Sequence, residues 1–457
     1  METKKMRSKS IIVSTIMVLV FLGLCGSVWA FSGDGSGTEA DPYIITTVQQ
    51  LQEMQNELDA CYVLGNDIDA SDTQNWNGGA GFEPVGTDTN PFTGTFDGQG
   101  NIITSLFINR PITNEVGLFG YILDGAVVCN VGLAEVDITA RRNSGSLVGF
   151  SIGSTICNSW SSGSVKGSYD YQMRLGGLIG ISAGVDSYVY LCFSCVNVTA
   201  AGGAHQVGGL AGYNGHGSIM IDCYATGNVS GKSKIGGLVG DNTDSADGGY
   251  IKRCYSIGKV TGSGGGLVGY NWQGGITYDS YWDIQTSGKS SSYGGTGKTT
   301  AEMQTMSTFT DAGWDFVGES LNGIEDIWFI PQQDYPHLWW EGMQVPMKLT
   351  PQTLNCRSYG DWVKAHLTLP EGFTFADVDP DRPAVLHSFG FESAPLYVFV
   401  NENGLVEIEA AFEREAVCSL AGDWPEALTV AGFLADGNIF LGTSMVRMIA
   451  PGMKEIE

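Results

Sequence analysis

The side chains able to do acid–base, nucleophilic or metal chemistry are few and scattered. The five histidines, His205, His216, His337, His366 and His387, include no His-x-x-x-His or His-Glu-x-x-His spacing, so none of them offers two ligands from one helix face. No Gly-x-Ser-x-Gly stretch stands in the strand–turn–helix setting of a hydrolase elbow, so none presents a serine nucleophile. Gly215-His216-Gly217-Ser218 and Gly231-Lys232-Ser233 resemble pieces of phosphate loops but lack the strand–loop–helix setting that gives such loops their function. Asp377-Val378-Asp379-Pro380-Asp381 opens like a calcium loop. However, its sixth and twelfth positions are Arg382 and Ser388, where an EF-hand needs glycine and glutamate. Asn66-Asp67-Ile68-Asp69-Ala70-Ser71-Asp72 reads as a strand with its polar face outward.

Glycan cleavage would need a pair of carboxylates on one face. Residues 144–240 carry only Asp170, Asp186 and Asp222 as acids, and the residue equivalent to Asp222 one repeat later is Arg253, so no carboxylate ladder forms there. Asp241, Asp244, Asp247, Asp279 and Asp283 are the remaining acids that a fold could pair. No catalytic, cofactor-binding or metal-binding residue is therefore assigned, and no cofactor is expected. Better candidates for contact are the exposed aromatics expected at Tyr213-Asn214, Tyr270-Asn271-Trp272 and Tyr281-Trp282.

The elements that would hold these residues are set by a repeat. Gly145 to Gly149, Gly176 to Gly180, Gly208 to Gly212, Gly236 to Gly240 and Gly265 to Gly269 are variants of Gly-Gly-Leu-Val-Gly. Gly117-Leu118-Phe119-Gly120 is a shorter copy. The leucines 118, 147, 178, 210, 238 and 267 are 28 to 32 residues apart. A second block, Cys223-Tyr224-Ala225-Thr226-Gly227-Asn228-Val229, returns at Cys254 to Val260 and more loosely at Cys192 and Ser159. Short apolar segments broken by glycine are strands, not helices. A repeat this short cannot bury its own apolar face, so the copies must stack. Propeller blades need about 40–50 residues each. The expected fold is all-β: a right-handed parallel β-helix with Leu178, Leu210, Leu238 and Leu267 in one interior row. Cys192, Cys223 and Cys254 are expected in a second row as free thiols, and most of the ten cysteines are expected to be unbridged. The 65 glycines, about twice the usual share, are expected at corners needing positive φ or close backbone approach.

These motifs resemble the GLUG-motif repeat family, from about residue 95 to residue 283. Thr38 to Ile45 and Phe92 to Gly100 look like its lead-in. Gly313 to Gly318, Asp326-Ile327-Trp328 and Asp334-Tyr335-Pro336 look like its ending. The resemblance implies an extracellular bacterial repeat module, of a kind found in surface proteins that include proteases and adhesins. It carries over no catalytic residues.

Five segments follow. Residues 1–30 read as a signal peptide, with Lys4, Lys5, Arg7 and Lys9 before the apolar run Ile11 to Leu24 and cleavage after Ala30. Residues 31–94 are a lead-in and cap, with a short helix over 47–59 presenting Val48, Leu51, Met54 and Leu58. Residues 95–283 are the coils, and 284–345 are a polar loop followed by an aromatic C-terminal cap. Residues 346–457 alternate apolar and polar residues, as in a small antiparallel β-sandwich. This last part looks like a module common at the ends of exported bacterial proteins.

Without residues 1–30 the chain has 19 basic and 48 acidic side chains, a net charge of −29. That speaks against nucleic acid and anionic membrane as partners, and no membrane span is expected after signal cleavage. The function expected is that of a secreted or cell-surface structural and binding protein, adhesin-like, whose partner is an extracellular glycan or surface protein. The alternative is a polysaccharide lyase or glycoside hydrolase of the β-helix type.

Overall fold

A computed structural model describes residues 31–168, 173–202, 205–243, 248–272, 274–356, 360–419 and 427–449. The expected signal peptide, Asp170, Asp244 and Asp247 lie outside the described residues, as does the side chain of His205. Most of the ordered structure is strand, arranged as a β-solenoid of about six turns with separate smaller sheets at the C-terminal end.

Three parallel sheets run the length of the solenoid. One has nine strands, from Tyr43–Ile45 to Ile276–Tyr278. The second has five, from Phe119–Leu123 to Val239–Asp241. The third is the largest, with sixteen. Each strand pairs in register with its equivalent one turn later, as in Ile156↔Val189 and Phe193↔Tyr224. Parallel pairing between successive repeats rules out propeller blades. Leu118, Leu147, Leu178, Leu210, Leu238 and Leu267 are all fully buried. Their backbones bond rung to rung, Leu178 N–H to the Leu210 carbonyl at 3.0 Å and Leu210 N–H to that of Leu238 at 2.9 Å.

The glycines and the turns divide the labour. Gly176, Gly208, Gly236 and Gly265 have ordinary φ, but a β-carbon on any of them would overlap a carbonyl oxygen three residues on. They are required for close approach. The positive φ falls elsewhere, on the residue just before the cysteine row: Asn130 (58°), Asn158 (43°), Leu191 (54°), Asp222 (53°), Arg253 (48°) and Asp279 (44°). Asn and Asp tolerate this conformation, whereas Leu191 and Arg253 each hold it at a cost of about 1–2 kcal/mol that the stacked coils must offset.

Cys192, Cys223 and Cys254 are buried and free, on one interior row that Ser159 and Ser280 continue. Each thiol donates to a carbonyl two residues earlier: Tyr190 at 3.3 Å, and Ile221 and Lys252 at 3.2 Å. Five of the nine described cysteines are unbridged, in line with the expectation for most of them, and the other four form two disulfides, Cys129–Cys157 and Cys356–Cys418. The physical reason for the first is the stacking itself. In-register coils place residues 28 apart in sequence at a Cα–Cα distance of 4.6 Å, within bridging range.

The lead-in helix is present as Val48–Glu53, with a capping box between Thr47 and Gln50. Val48, Leu51 and Met54 join the solenoid core, and Leu58 packs against it. Stacking starts within the lead-in, because Tyr43–Ile45 and Cys61–Leu64 are already rungs of the nine-stranded sheet.

At the other end the polar stretch after residue 283 does the closing. Thr296–Lys298 pairs with Tyr281–Asp283, and the Ser292 hydroxyl accepts from the Leu267 and Val268 N–H groups at 3.2 and 2.8 Å. The aromatic segment lies on the side of the coils instead. Trp314, Phe316, Trp328 and Leu338 pack on an outward column formed by Phe193, Tyr224, Tyr255 and Tyr281, one ring per turn. The residues before these rings point inward, so alternation along the strand sends the rings outward. Val317 and Phe329 of the same segment pack against Val385, Phe433 and Ile439 of the C-terminal part.

That C-terminal part has a five-stranded and a four-stranded sheet, both mainly antiparallel, over one shared core including Leu349, Leu367, Ile408, Val430 and Phe440. It is a small β-sandwich, joined by one parallel pairing of Met343–Val345 with Ile439–Met445.

Candidate binding cleft

Among the described residues the sequence candidates for chemistry are not brought together. Asp241 is buried and receives Gln206 Nε2 at 2.7 Å and Lys234 Nζ at 2.8 Å. Asp283 caps the helix Ile284–Ser287 and accepts the Thr300 and Tyr335 hydroxyls, each at 2.7 Å. These two acids end strands of different sheets, while Asp186 and Asp279 are exposed. Asp222 faces Arg253 of the next turn, with guanidinium nitrogens at 2.7 and 2.6 Å. Burial raises the Asp222 carboxyl above its ordinary value despite this pairing. Asp67 accepts the Ile102 N–H at 2.8 Å, and Asp377 caps its own turn at Thr374.

The described histidine side chains are dispersed too. His216 is exposed near the Tyr213 ring, and His366 lies 3.7 Å from Glu409. His387 is buried against Trp339, and burial lowers its pKa to about 4. Burial would also lower His337, but its hydrogen bond to Glu341 and the charges of Glu341 and Asp334 outweigh this and raise it.

The aromatic–amide candidates fare unequally. Trp272 is 60% exposed, but Tyr281 and Trp282 are only 8% and 5% exposed, so they are packing residues and not presented ones. Asn214 is internal and donates to Asn242 Oδ1 at 2.8 Å. Tyr213 is half-buried, with its hydroxyl on the Thr243 carbonyl. Tyr270 lies under the Lys234 ammonium, 3.8 Å from the ring centre.

A site that no single sequence motif marks is a cleft of about 800 Å³ between the solenoid flank and the C-terminal part. It exists because the ring column stops. Trp160 stacks on Phe193 at 5.7 Å and 10°, and Phe193 stacks on Tyr224 at 4.8 Å and 9°. One turn earlier the column position is Gly132, and before that Ile102. The Trp160 indole leans over Gly132, where a β-carbon would sit 2.6 Å from it. The covering aromatic segment ends here as well, with Trp339, Trp340 and Glu341 forming the opposite wall.

A polar ladder borders the floor. Asn158 Nδ2 donates to Asn130 Oδ1 at 3.0 Å, and Asn130 Nδ2 donates to Asp97 Oδ1 at 3.0 Å. These two asparagines are the positive-φ corner residues of their turns. Glu341 accepts from the Tyr224 hydroxyl at 2.8 Å and from the Leu338 N–H at 2.7 Å. Two polar atoms in the lining are buried without a partner, Trp340 Nε1 and Asn158 Oδ1. The signal in the sequence is the ring that follows each cysteine-row residue from Ser159 onward, a column that ends at Trp160 because the preceding positions are Gly132 and Ile102.

Residues 203–230 match the family model described as the GLUG motif. The chain is thus a β-solenoid of about six turns that carries this motif. It is similar to "Halomucin" of Haloquadratum walsbyi, 37% identical over 273 residues that span 57% of this chain and 3% of that protein. It is also similar to a "Putative Gly-rich membrane protein" of Evansella cellulosilytica, 30% identical over 407 residues, 67% of this chain and 45% of that one. The chain therefore spans less than half the length of either relative. Among solved structures an IgA1 protease aligns over 52% of this chain and 21% of its own length, at 16% identity and a TM-score of 0.37. That likeness bears on neither fold nor activity. Among the described residues no helix is long and apolar enough to cross a membrane.

Proposed function

We propose that this is a cell-surface or secreted repeat protein, whose solenoid is a rigid body that holds a binding cleft for an extracellular glycan or surface protein. The observation that carries this reading is the composition of the cleft: indole rings, carboxamides and two unpartnered polar atoms. Its two carboxylates, Asp97 and Glu341, are each already engaged as acceptors, which favours holding a ligand over transferring protons. The named relatives, a halomucin and a membrane protein, support a surface location. The strongly acidic composition, net −26 over the whole sequence, favours a partner other than nucleic acid.

Two experiments test it together. Protease shaving of intact cells that express the protein should release its peptides. The purified chain should bind at least one member of a panel of immobilised polysaccharides and extracellular proteins without shortening the polysaccharides. Peptides found only after lysis would contradict the location, and reducing ends released from a polysaccharide would favour an enzyme.

A further inference from the structure

The cleft beside Trp160 has a chemistry more specific than generic binding. Among the buried polar side-chain atoms without a partner, an indole N–H and an amide oxygen, Trp340 Nε1 and Asn158 Oδ1, belong to residues of this one cleft, and each left unpaired costs about 1–3 kcal/mol. One is a donor and the other an acceptor, and a hydroxyl group answers both. The floor is an aromatic column whose next ring is missing: past Trp160 the backbone offers Gly132 and then Ile102. The ionisable groups in the lining are acids, Asp97 and Glu341, so an anionic ligand would be repelled. The volume, about 800 Å³, lies in the ordinary range of small-molecule sites.

We infer that this cleft binds an uncharged hexopyranose chain. One sugar ring stacks on Trp160 in the place of the missing ring, and ligand entry turns Trp340 Nε1 and Asn158 Oδ1, both closed to solvent in the free chain, toward its hydroxyls. The inference rests on the surface-binding reading above and names its site and ligand class. The apolar face of a pyranose suits an indole face, and its rim of hydroxyls suits the amide ladder. Gly132 matters because any side chain there would displace the indole.

The test is calorimetry and tryptophan fluorescence on the full chain with cellohexaose, mannohexaose and maltohexaose, and with hexagalacturonate as the charged counterpart. At least one uncharged hexasaccharide should bind and change the tryptophan emission, and hexagalacturonate should not bind. Trp340→Phe keeps the ring and removes the N–H, and should weaken binding about tenfold. Trp160→Ala should abolish it while leaving the melting transition cooperative. If no uncharged hexasaccharide binds, or if hexagalacturonate binds best, the inference is overturned. If uncharged chains bind but Trp340→Phe and Trp160→Ala both bind as tightly as the parent, the site is wrong while the surface-binding reading survives. That reading itself falls only if the polysaccharide and protein panel also shows no binding.

Discussion

The Arg253 guanidinium reaches across one turn of the solenoid to the Asp222 carboxylate, with both nitrogens at hydrogen-bond distance, 2.7 and 2.6 Å. Both residues occupy the positive-φ corner of successive turns, and Trp328 Nε1 adds a third bond to Asp222 at 3.2 Å. The pair therefore ties two coils to each other and to the aromatic segment on their flank. A buried pair of this kind need not be a net gain over an apolar replacement, but losing one partner strands a charge.

Arg253→Ala is accordingly expected to destabilise the chain by about 3–5 kcal/mol. The double change Asp222→Ala with Arg253→Ala should cost less than the single one. Urea melts of the three variants measure this, and a double variant less stable than Arg253→Ala would mean that the stranded charge is not what the single change exposes.

The two kinds of glycine should respond differently to alanine. At Gly236 a β-carbon would overlap the Val239 carbonyl, so Gly236→Ala should prevent the coils from stacking and abolish the cooperative melt. At Gly288 nothing lies within 4 Å, and only its φ of 67° is unfavourable, so Gly288→Ala should cost about 1–2 kcal/mol. Thermal melts followed by circular dichroism separate the cases.

The solenoid was legible because its leucine and cysteine periods are set by packing, and packing recurs with every turn. The capping box at Thr47 and Gln50 is legible for a local reason: the four residues Thr47-Val48-Gln49-Gln50 suffice to specify it. What was not legible depended on neighbours a whole turn or a domain away. Positive φ at Leu191 and Arg253 is imposed by the stack, against the preference of those residues. The burial of Tyr281 follows from a segment that folds back onto the flank, while Trp282, the next residue, is buried because it points into the solenoid core. The cleft exists only because that segment stops near Glu341 where the ring column also stops, and no local pattern encodes such a coincidence.

Stability against pH has two opposing contributions at the contact between the aromatic segment and the sandwich. Asp326 is raised from 3.8 to about 6, mainly by burial and further by the charge of Asp315, with the Gly318 N–H opposing. Its native form holds a proton that the unfolded chain has lost, so its contribution is present below about pH 4 and is lost as pH rises through 6. His387, whose ring nitrogen lies 3.3 Å from the Asp326 carbonyl, is lowered by burial from 6.5 to about 4. Its contribution is present above about pH 6.5 and is lost as pH falls through 4. Each is worth about 3 kcal/mol, in opposite directions across the same window. Asp326→Asn should therefore lose stability, relative to the parent, on going from pH 7 to pH 4, whereas His387→Asn should gain it. Denaturant midpoints at pH 4, 5, 6 and 7 measure both. Parallel profiles for parent and variants would show that neither group is perturbed.

The C-terminal sandwich has its own core, and the solenoid ends are closed without it by the helix Val48–Glu53 and the stretch through Thr296–Lys298. A chain ending at Glu341 should thus still melt cooperatively. Removing residues 47–59 should do more damage, because Leu51 and Met54 fill the first coil. Loss of the cooperative melt on removing 342–457, with the transition retained on removing 47–59, would reverse the assignment of the caps.

The most direct measurement of the central claim is hydrogen exchange of the full chain with and without a saturating uncharged oligosaccharide. Protection should rise in peptides covering 97–102, 128–133, 157–162 and 338–344, which line the cleft from four separate stretches of sequence, and should stay unchanged at Trp272 and across the sandwich strands 427–433. Protection confined to Trp272 and its neighbours, or spread evenly along the coils, would contradict the claim that this cleft is where the protein binds.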